Sequence, residues 1–189
     1  VLNVVTSLIS GIASFDPEVG GLEAKKTVFR IFKDVRFSKD KTPYKTNMGA
    51  WIAPGGKGSM SAGYYLHIQP GGNSFVAGGS YMPPSNILRS IRDAIDYDAE
   101  TLEKILAEPD FVKTFGELEG AKLKTAPRGF AKDHPSIELL RHKSFVVSHK
   151  LSDKEMTSPK LVEKAVQHLS HLYPLNSYLN KAIAEASPA

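Results

Sequence analysis

The order in which two periodicities occur along this chain restricts its fold more than any other feature of the sequence. Alternation of apolar and polar residues, the mark of a half-buried strand, is concentrated between residues 28 and 81. Beyond residue 85, apolar residues spaced three and four apart, the mark of an amphipathic helix, take over. A doubly wound parallel sheet needs strands and helices in regular alternation, and that alternation is missing. The expected class is therefore α+β: an antiparallel sheet of about four to six strands packed with helices, the C-terminal part mostly helical.

At the amino terminus Val1, Val5, Leu8, Ile9, Ile12 and Phe15 share one helix face, with Asn3, Thr6, Ser7, Ser10 and Ser14 on the other. Pro17, Gly20 and Gly21 then mark a loop. Val28 to Phe37 reads as a half-buried strand with Phe29, Ile31, Val35 and Phe37 on its apolar face, and Lys33 interrupts that face as a bulge or strand end would. Asn47 to Ala53 is a second strand, closed by Pro54, Gly55 and Gly56. Residues 63 to 81 form a hairpin, with Tyr64, Leu66 and Ile68 aligned and Pro70, Gly71, Gly72 and Asn73 in the turn. Gly78 and Gly79 thin its return strand, a pattern that marks close approach by another backbone or by a ligand.

Ser85 and Asp98 are the expected N-caps of two helices, the second stopped by Pro109. Residues 116 to 133, punctuated by Gly116, Gly120, Pro127 and Gly129, read as irregular. Pro135 opens a short helix reaching His142, and Ser144 to Leu151 is a last strand. Ser158 and Pro159 open a helix striped by Leu161, Ala165, Leu169 and Leu172, which Pro174 restarts through Leu175, Leu179 and Ile183. No repeat, low-complexity tract or linker divides the chain, so 1–189 is read as a single domain.

Cysteine is absent, which removes disulfides, thiolate nucleophiles, zinc ribbons and iron–sulfur clusters together and agrees with a reducing, cytoplasmic setting. No apolar run approaches the roughly 20 residues that span a bilayer, and the amino-terminal stretch lacks the basic start of a secretion signal, so no membrane partner is expected. His168 and His171, three apart on one helix, fall on its polar face and read as solvated; neither a metal nor another cofactor is expected. The run Gly55 to Ser59 lacks the spacing of a phosphate-binding loop, and neither it nor residues 70–73 lies between a parallel strand and a helix. Both are turns.

The charge is unevenly placed. Between residues 30 and 45 stand Arg30, Lys33, Arg36, Lys39, Lys41 and Lys45 against Asp34 and Asp40, a local +4 that equals the net charge of the whole chain. So concentrated a field draws anions, through charge-assisted hydrogen bonds to phosphate or carboxylate oxygens. A second basic stretch holds Lys122, Lys124 and Lys132 around Arg128, which sits between Pro127 and Gly129 where a guanidinium is well presented. For catalysis the candidates are His67, on a strand near Gly78 and Gly79, and His134, beside Asp133 and ahead of Pro135. The bland alternatives stay open: a lone strand histidine is commonly a satisfied core residue, and Asp133 with His134 can cap the helix that Pro135 opens.

Several stretches, in order, carry a resemblance. They are Arg30-Ile31-Phe32-Lys33-Asp34-Val35-Arg36-Phe37-Ser38-Lys39-Asp40-Lys41-Thr42-Pro43-Tyr44-Lys45-Thr46, Gly63-Tyr64-Tyr65-Leu66-His67-Ile68, Gly78-Gly79-Ser80-Tyr81, Leu88-Arg89-Ser90-Ile91-Arg92, Leu123-Lys124-Thr125-Ala126-Pro127-Arg128-Gly129-Phe130 and Leu139-Leu140-Arg141-His142-Lys143-Ser144. Together they resemble domain of unknown function 2461, a conserved family of bacterial and fungal proteins, over most of the chain from residue 28 onward. Members usually begin with a further segment bearing paired asparagines and an Arg, Glu, Trp, Phe cluster. This chain opens on Val1 rather than Met and has no such segment, so a leading piece is expected to be missing. The resemblance implies a fold and a site, and no known reaction.

Charge and motif together nominate Arg30, Arg36, Lys39, Lys41, Tyr44, Lys45 and Arg128 as ligand-binding, for a phosphate or another anionic small molecule. The alternatives are a nucleic-acid-binding module, in which Tyr44 or Phe37 stacks on a base, and a structural or interaction domain in which Arg30 and Arg36 pair inward with carboxylates. The sequence assigns neither a reaction nor an oligomeric state.

Overall fold

The glycine and proline turns cut the first part of the chain into strands of one antiparallel sheet. In the computed structural model, which describes residues 1–32 and 42–186, these are β1 (Met48–Ile52), β2 (Gly63–Ile68), β3 (Ser74–Ser80) and the later β4 (Phe145–Leu151), in the order β1-β2-β3-β4. The α+β class and the antiparallel sheet are as expected. Between β1 and β2 the register runs from Met48 opposite Ile68 to Ile52 opposite Tyr64. Tyr64 and Leu66 point into the core, and Tyr65 and His67 point to the other face.

The chain divides into two compact units. The first holds residues 1–58, 64–77 and 149–170, the second residues 59–63, 78–148 and 171–189.

In the first unit α1 (Leu2–Ala13) buries Val5, Leu8, Ile9 and Ile12 of the stripe read from the sequence, while Val1, at its N-cap, is exposed. It packs on α8 (Leu161–Ser170), whose Leu161, Ala165 and Leu169 are buried, and Gly11 lies so close to Val166 that a β-carbon there would collide with it. Two short helices, α2 (Ala24–Thr27) and α7 (Asp153–Met156), complete the unit. Ser152 and Glu155 close a reciprocal capping box on α7, and the Asp153 carboxylate accepts the Gly72 amide proton. The buried Tyr64 hydroxyl donates to Asp16 Oδ2 at 2.8 Å, while Asp16 Oδ1 accepts from the Glu18 amide at 3.2 Å. Tyr64→Phe strips one donor from a buried carboxylate, so a loss of about 1.5–3 kcal/mol is expected in urea unfolding.

In the second unit α3 (Ser85–Tyr97) packs against α9 (Tyr173–Ala184), with Ile87, Ile91, Ile95, Leu175 and Leu179 buried. Next come α4 (Ala99–Ala107), α5 (Pro109–Phe115) and α6 (Ile137–Leu140). Asp98 caps α4 as expected, its Oδ1 accepting from the Thr101 amide. Three details differ. Ser85 is the first residue of α3 and Pro84 its N-cap, without a side-chain cap bond. Pro109 does more than stop α4: it opens α5, whose N-cap Glu108 accepts the Phe111 amide proton at 2.8 Å. The short helix before β4 starts after Ser136 rather than at Pro135. Asn180 brackets the backbone of Ala62 from both sides, at 2.7 and 3.2 Å.

The paired glycines of β3 answer to backbone, not to a ligand. A β-carbon on Gly78 would strike the Gly63 carbonyl and the Leu172 side chain, and one on Gly79 the Phe145 carbonyl, at a φ of +110° that L-residues rarely adopt. Among the described residues no helix is long and apolar enough to cross a membrane.

Candidate functional site

The first unit carries a ribbon at the outer edge of β1. Phe29 N donates to Gly49 O at 2.9 Å and Lys45 N to Ile31 O at 2.8 Å, and Val28 bridges Ala50 while Phe32 bridges Tyr44. Residues 28–32 thus run antiparallel to 44–50. Between the two hydrogen bonds the first strand has one residue, Arg30, and the second has three, Thr46, Asn47 and Met48, so the ladder is bulged. Past the bulge the ribbon leaves the regular pairing of β1. Phe29 and Ile31, expected on a buried strand face, are instead 40% and 41% exposed, while Phe32 is 62% and Tyr44 58% exposed. The Phe32 and Tyr44 rings lie 5.6 Å apart. Arg30 and Lys45 are exposed on the same ribbon. Lys57 reaches it from the turn after β1, donating to Val28 O at 3.1 Å with its ammonium 5.3 Å from the Phe29 ring centre. Arg36, Lys39 and Lys41, like Lys33, Val35 and Phe37, lie outside the described residues.

Beside the ribbon, His67 is 9% exposed and hydrogen-bonded through both ring nitrogens. Gln69 Oε1 accepts from Nε2 at 3.0 Å, which leaves Nδ1 to accept the Tyr65 hydroxyl proton at 3.1 Å. Asn47, on the bulge, brings its Nδ2 within 3.3 Å of Nε2. The imidazole stacks on Phe75 at 4.6 Å, and Tyr65 meets Phe29 edge-on at 6.3 Å. Burial pushes the Tyr65 phenol above its ordinary pKa, so it stays a donor. Gly49 opposite makes room for this hydroxyl, since a β-carbon there would sit 2.5 Å from it. His67 stands out in the sequence as a strand histidine, and its partners do not, although Tyr65, His67 and Gln69 alternate along one strand face.

In the second unit arginines hold an irregular segment together by its carbonyls. Arg89 Nη1 donates to Arg128 O at 3.0 Å, and the same guanidinium lies 4.7 Å from the Phe130 ring centre. Arg92 donates to Leu140 O at 2.8 Å and to His142 O at 3.1 Å; burial, and after it Arg89, lowers its pKa from the usual range. Arg141 donates to Leu123 O at 2.6 Å and Lys124 O at 3.2 Å. Three of the stretches that carry the family resemblance thus meet one another. Arg128 itself is exposed, and its carbonyl is the group in use. Lys122 is paired with Glu138 at 3.3 Å. His134 Nε2 is 3.0 Å from Asp96 Oδ1, and its Nδ1 accepts the Ser136 amide proton, so it braces the start of α6. His142 is buried with Nδ1 unpartnered among the described residues, and burial, reinforced by Lys122, lowers its pKa.

Of the nominated residues, Arg30, Tyr44, Lys45 and His67 therefore stand in the first unit, and Arg128 and His134 in the second. His168 lies against His149, ring centres 4.0 Å apart, and among the described residues no three histidines or carboxylates are grouped to hold a metal. A cavity of about 420 Å³ in the first unit is lined by Gly21, Leu22, Glu23, Lys26, Thr27 and residues 55–58. Of its two lysines, Lys26 is paired with Glu23 at 2.6 Å and Lys57 donates to Val28 O at 3.1 Å.

No curated protein and no solved structure matches this chain. A family model does, over residues 1–178, a span that takes in α1, the ribbon, the whole sheet and the arginine-held segment. The chain belongs to the family described as "Conserved hypothetical protein (DUF2461)".

Proposed function

We propose that this protein is a binding module that captures a phosphate-type anionic ligand on the basic ribbon, with Arg30, Tyr44 and Lys45 at its flanks and Arg36, Lys39 and Lys41 supplied by the intervening segment. The concentration of charge carries the reading: six Lys and Arg fall between residues 30 and 45, against two Asp. Arg30 and Lys45 are exposed and take part in no ion pair among the described residues. Cations gathered in one short segment form a local field that a multivalent anion relieves. Arg128 is a separate exposed cation of the second unit.

Isothermal titration with inorganic tripolyphosphate tests the reading. The double variant Arg30→Gln, Lys45→Gln is expected to weaken binding roughly ten- to a hundredfold, from the loss of two charge-assisted contacts. Lys104→Gln, whose lysine is already paired with Glu100, is expected to bind as wild type does. Equal affinity in all three proteins would count against the ribbon.

A further inference from the structure

Resting on that reading, we infer that the ligand of the ribbon is single-stranded nucleic acid, its bases stacking on the Phe32 and Tyr44 rings and its phosphates meeting Arg30 on the same face. A phosphorylated metabolite wants a concave, largely enclosed site. Arg30, Phe32, Tyr44 and Lys45 are all exposed, so among the described residues they form an open strip.

Its side chains follow from the pairing. Residues directly opposite on an antiparallel pair share a face, and residues two apart on one strand share it too. Phe32 and Tyr44 are bridge partners, so their rings stand together, and Arg30, two residues before Phe32, projects to the same side. That face therefore presents two large rings and a guanidinium. Lys45, opposite Ile31, projects to the other side of the ribbon, so Arg30 is the described cation that shares the face of the rings.

Solvent exposure of such rings has a cost. Phe32 and Tyr44 leave more than half of their surface in water, and no described element covers them. A base has a π-face to cover a ring and hangs from a phosphate that answers the cation beside it, so both exposed features are satisfied by one ligand repeated along a strand. In a duplex the bases are stacked on one another and unavailable to these rings; single-stranded bases are free to splay out. An acidic peptide would answer the charge but supplies no planar groups for the rings.

Fluorescence anisotropy with a labelled 12-nucleotide thymidine oligomer separates the possibilities, with inorganic polyphosphate of similar charge and an oligoglutamate peptide as competitors. Wild type is expected to bind the oligomer with affinity that falls as salt rises, and to prefer it to its duplex with the complementary strand. Phe32→Ala is expected to weaken the oligomer between about fivefold and a hundredfold while leaving polyphosphate unchanged. Because this ring is largely exposed, the variant's melting temperature is expected to stay at the wild-type value. If the aromatic variant binds the oligomer as wild type does, or duplex and single strand bind equally, the nucleic-acid assignment is wrong while anion capture stands. Tighter binding of oligoglutamate than of the oligomer likewise overturns it in favour of an acidic protein partner. If neither polyphosphate nor oligomer binds, anion capture itself fails.

Discussion

Replacing Gly79 with alanine is expected to destabilise the protein by about 3–4 kcal/mol, shifting the urea midpoint down by about 1–2 M. Two costs combine. At φ +110° a β-carbon strains the backbone itself, by about 1–3 kcal/mol. The same carbon would strike the Phe145 carbonyl, so the strands must also separate where Phe145 and Val147 are fully buried. Gly58→Ala is the matched control, because its β-carbon would enter open space, and a change within about 0.5 kcal/mol is expected there. Near-native stability for the Gly79 variant would mean that β3 and β4 do not approach each other at Gly79 as closely as described.

Arg92→Leu is expected to cost about 2–4 kcal/mol and to release the segment between residues 121 and 136. Its guanidinium satisfies the carbonyls of Leu140 and His142, both buried residues, and leucine leaves those oxygens without a donor. Trypsin reports the consequence, since Lys122, Lys124, Arg128 and Lys132 all lie in the segment. Wild type is expected to resist cleavage there, and the variant to be cut within it before the rest of the second unit. Arg92→Lys keeps the charge but not the two-pronged geometry and is expected to fall between them.

These arginines mark where the sequence stopped being legible. A guanidinium that binds backbone carbonyls leaves no acidic partner to be found in the letters, so Arg89, Arg92 and Arg141 read as ordinary surface cations. Only the fold brings Leu88 to Arg92, Leu123 to Phe130 and Leu139 to Ser144 together. The hairpin of β2 and β3 was legible, because Tyr64 and Leu66 alternate toward the core and Pro70 to Asn73 leave no other conformation than a turn. So was α1, whose buried stripe follows directly from spacing. α5 was missed by reading Pro109 only as a stop; Glu108 before it, and Phe111 and Phe115 four apart after it, were the signal of a new start.

The ribbon shows a subtler limit. Alternation in residues 28–32 correctly indicates extended chain, but periodicity cannot say whether a neighbouring layer covers the apolar face. The bulge at Thr46, Asn47 and Met48 decides that, and it depends on the pairing of Lys45 with Ile31 and Phe29 with Gly49. Likewise His67 was visible as a histidine on a strand, while Asn47 enters its environment through the register that sets Gly49 opposite it. Charge was the most readable feature, since it needs only counting; the exposure of Arg30 and Lys45 on one ribbon with Phe32 and Tyr44 follows only from the fold.

Amide chemical shifts during a titration of isotopically labelled protein with inorganic tripolyphosphate locate the bound anion on the chain. The amides of Arg30, Ile31, Tyr44 and Lys45 are expected to move progressively and saturably while those of Arg128, Gly129 and Phe130 stay in place. Movement confined to the second unit, or none in the ribbon at saturating anion, would mean that the ribbon does not capture anions.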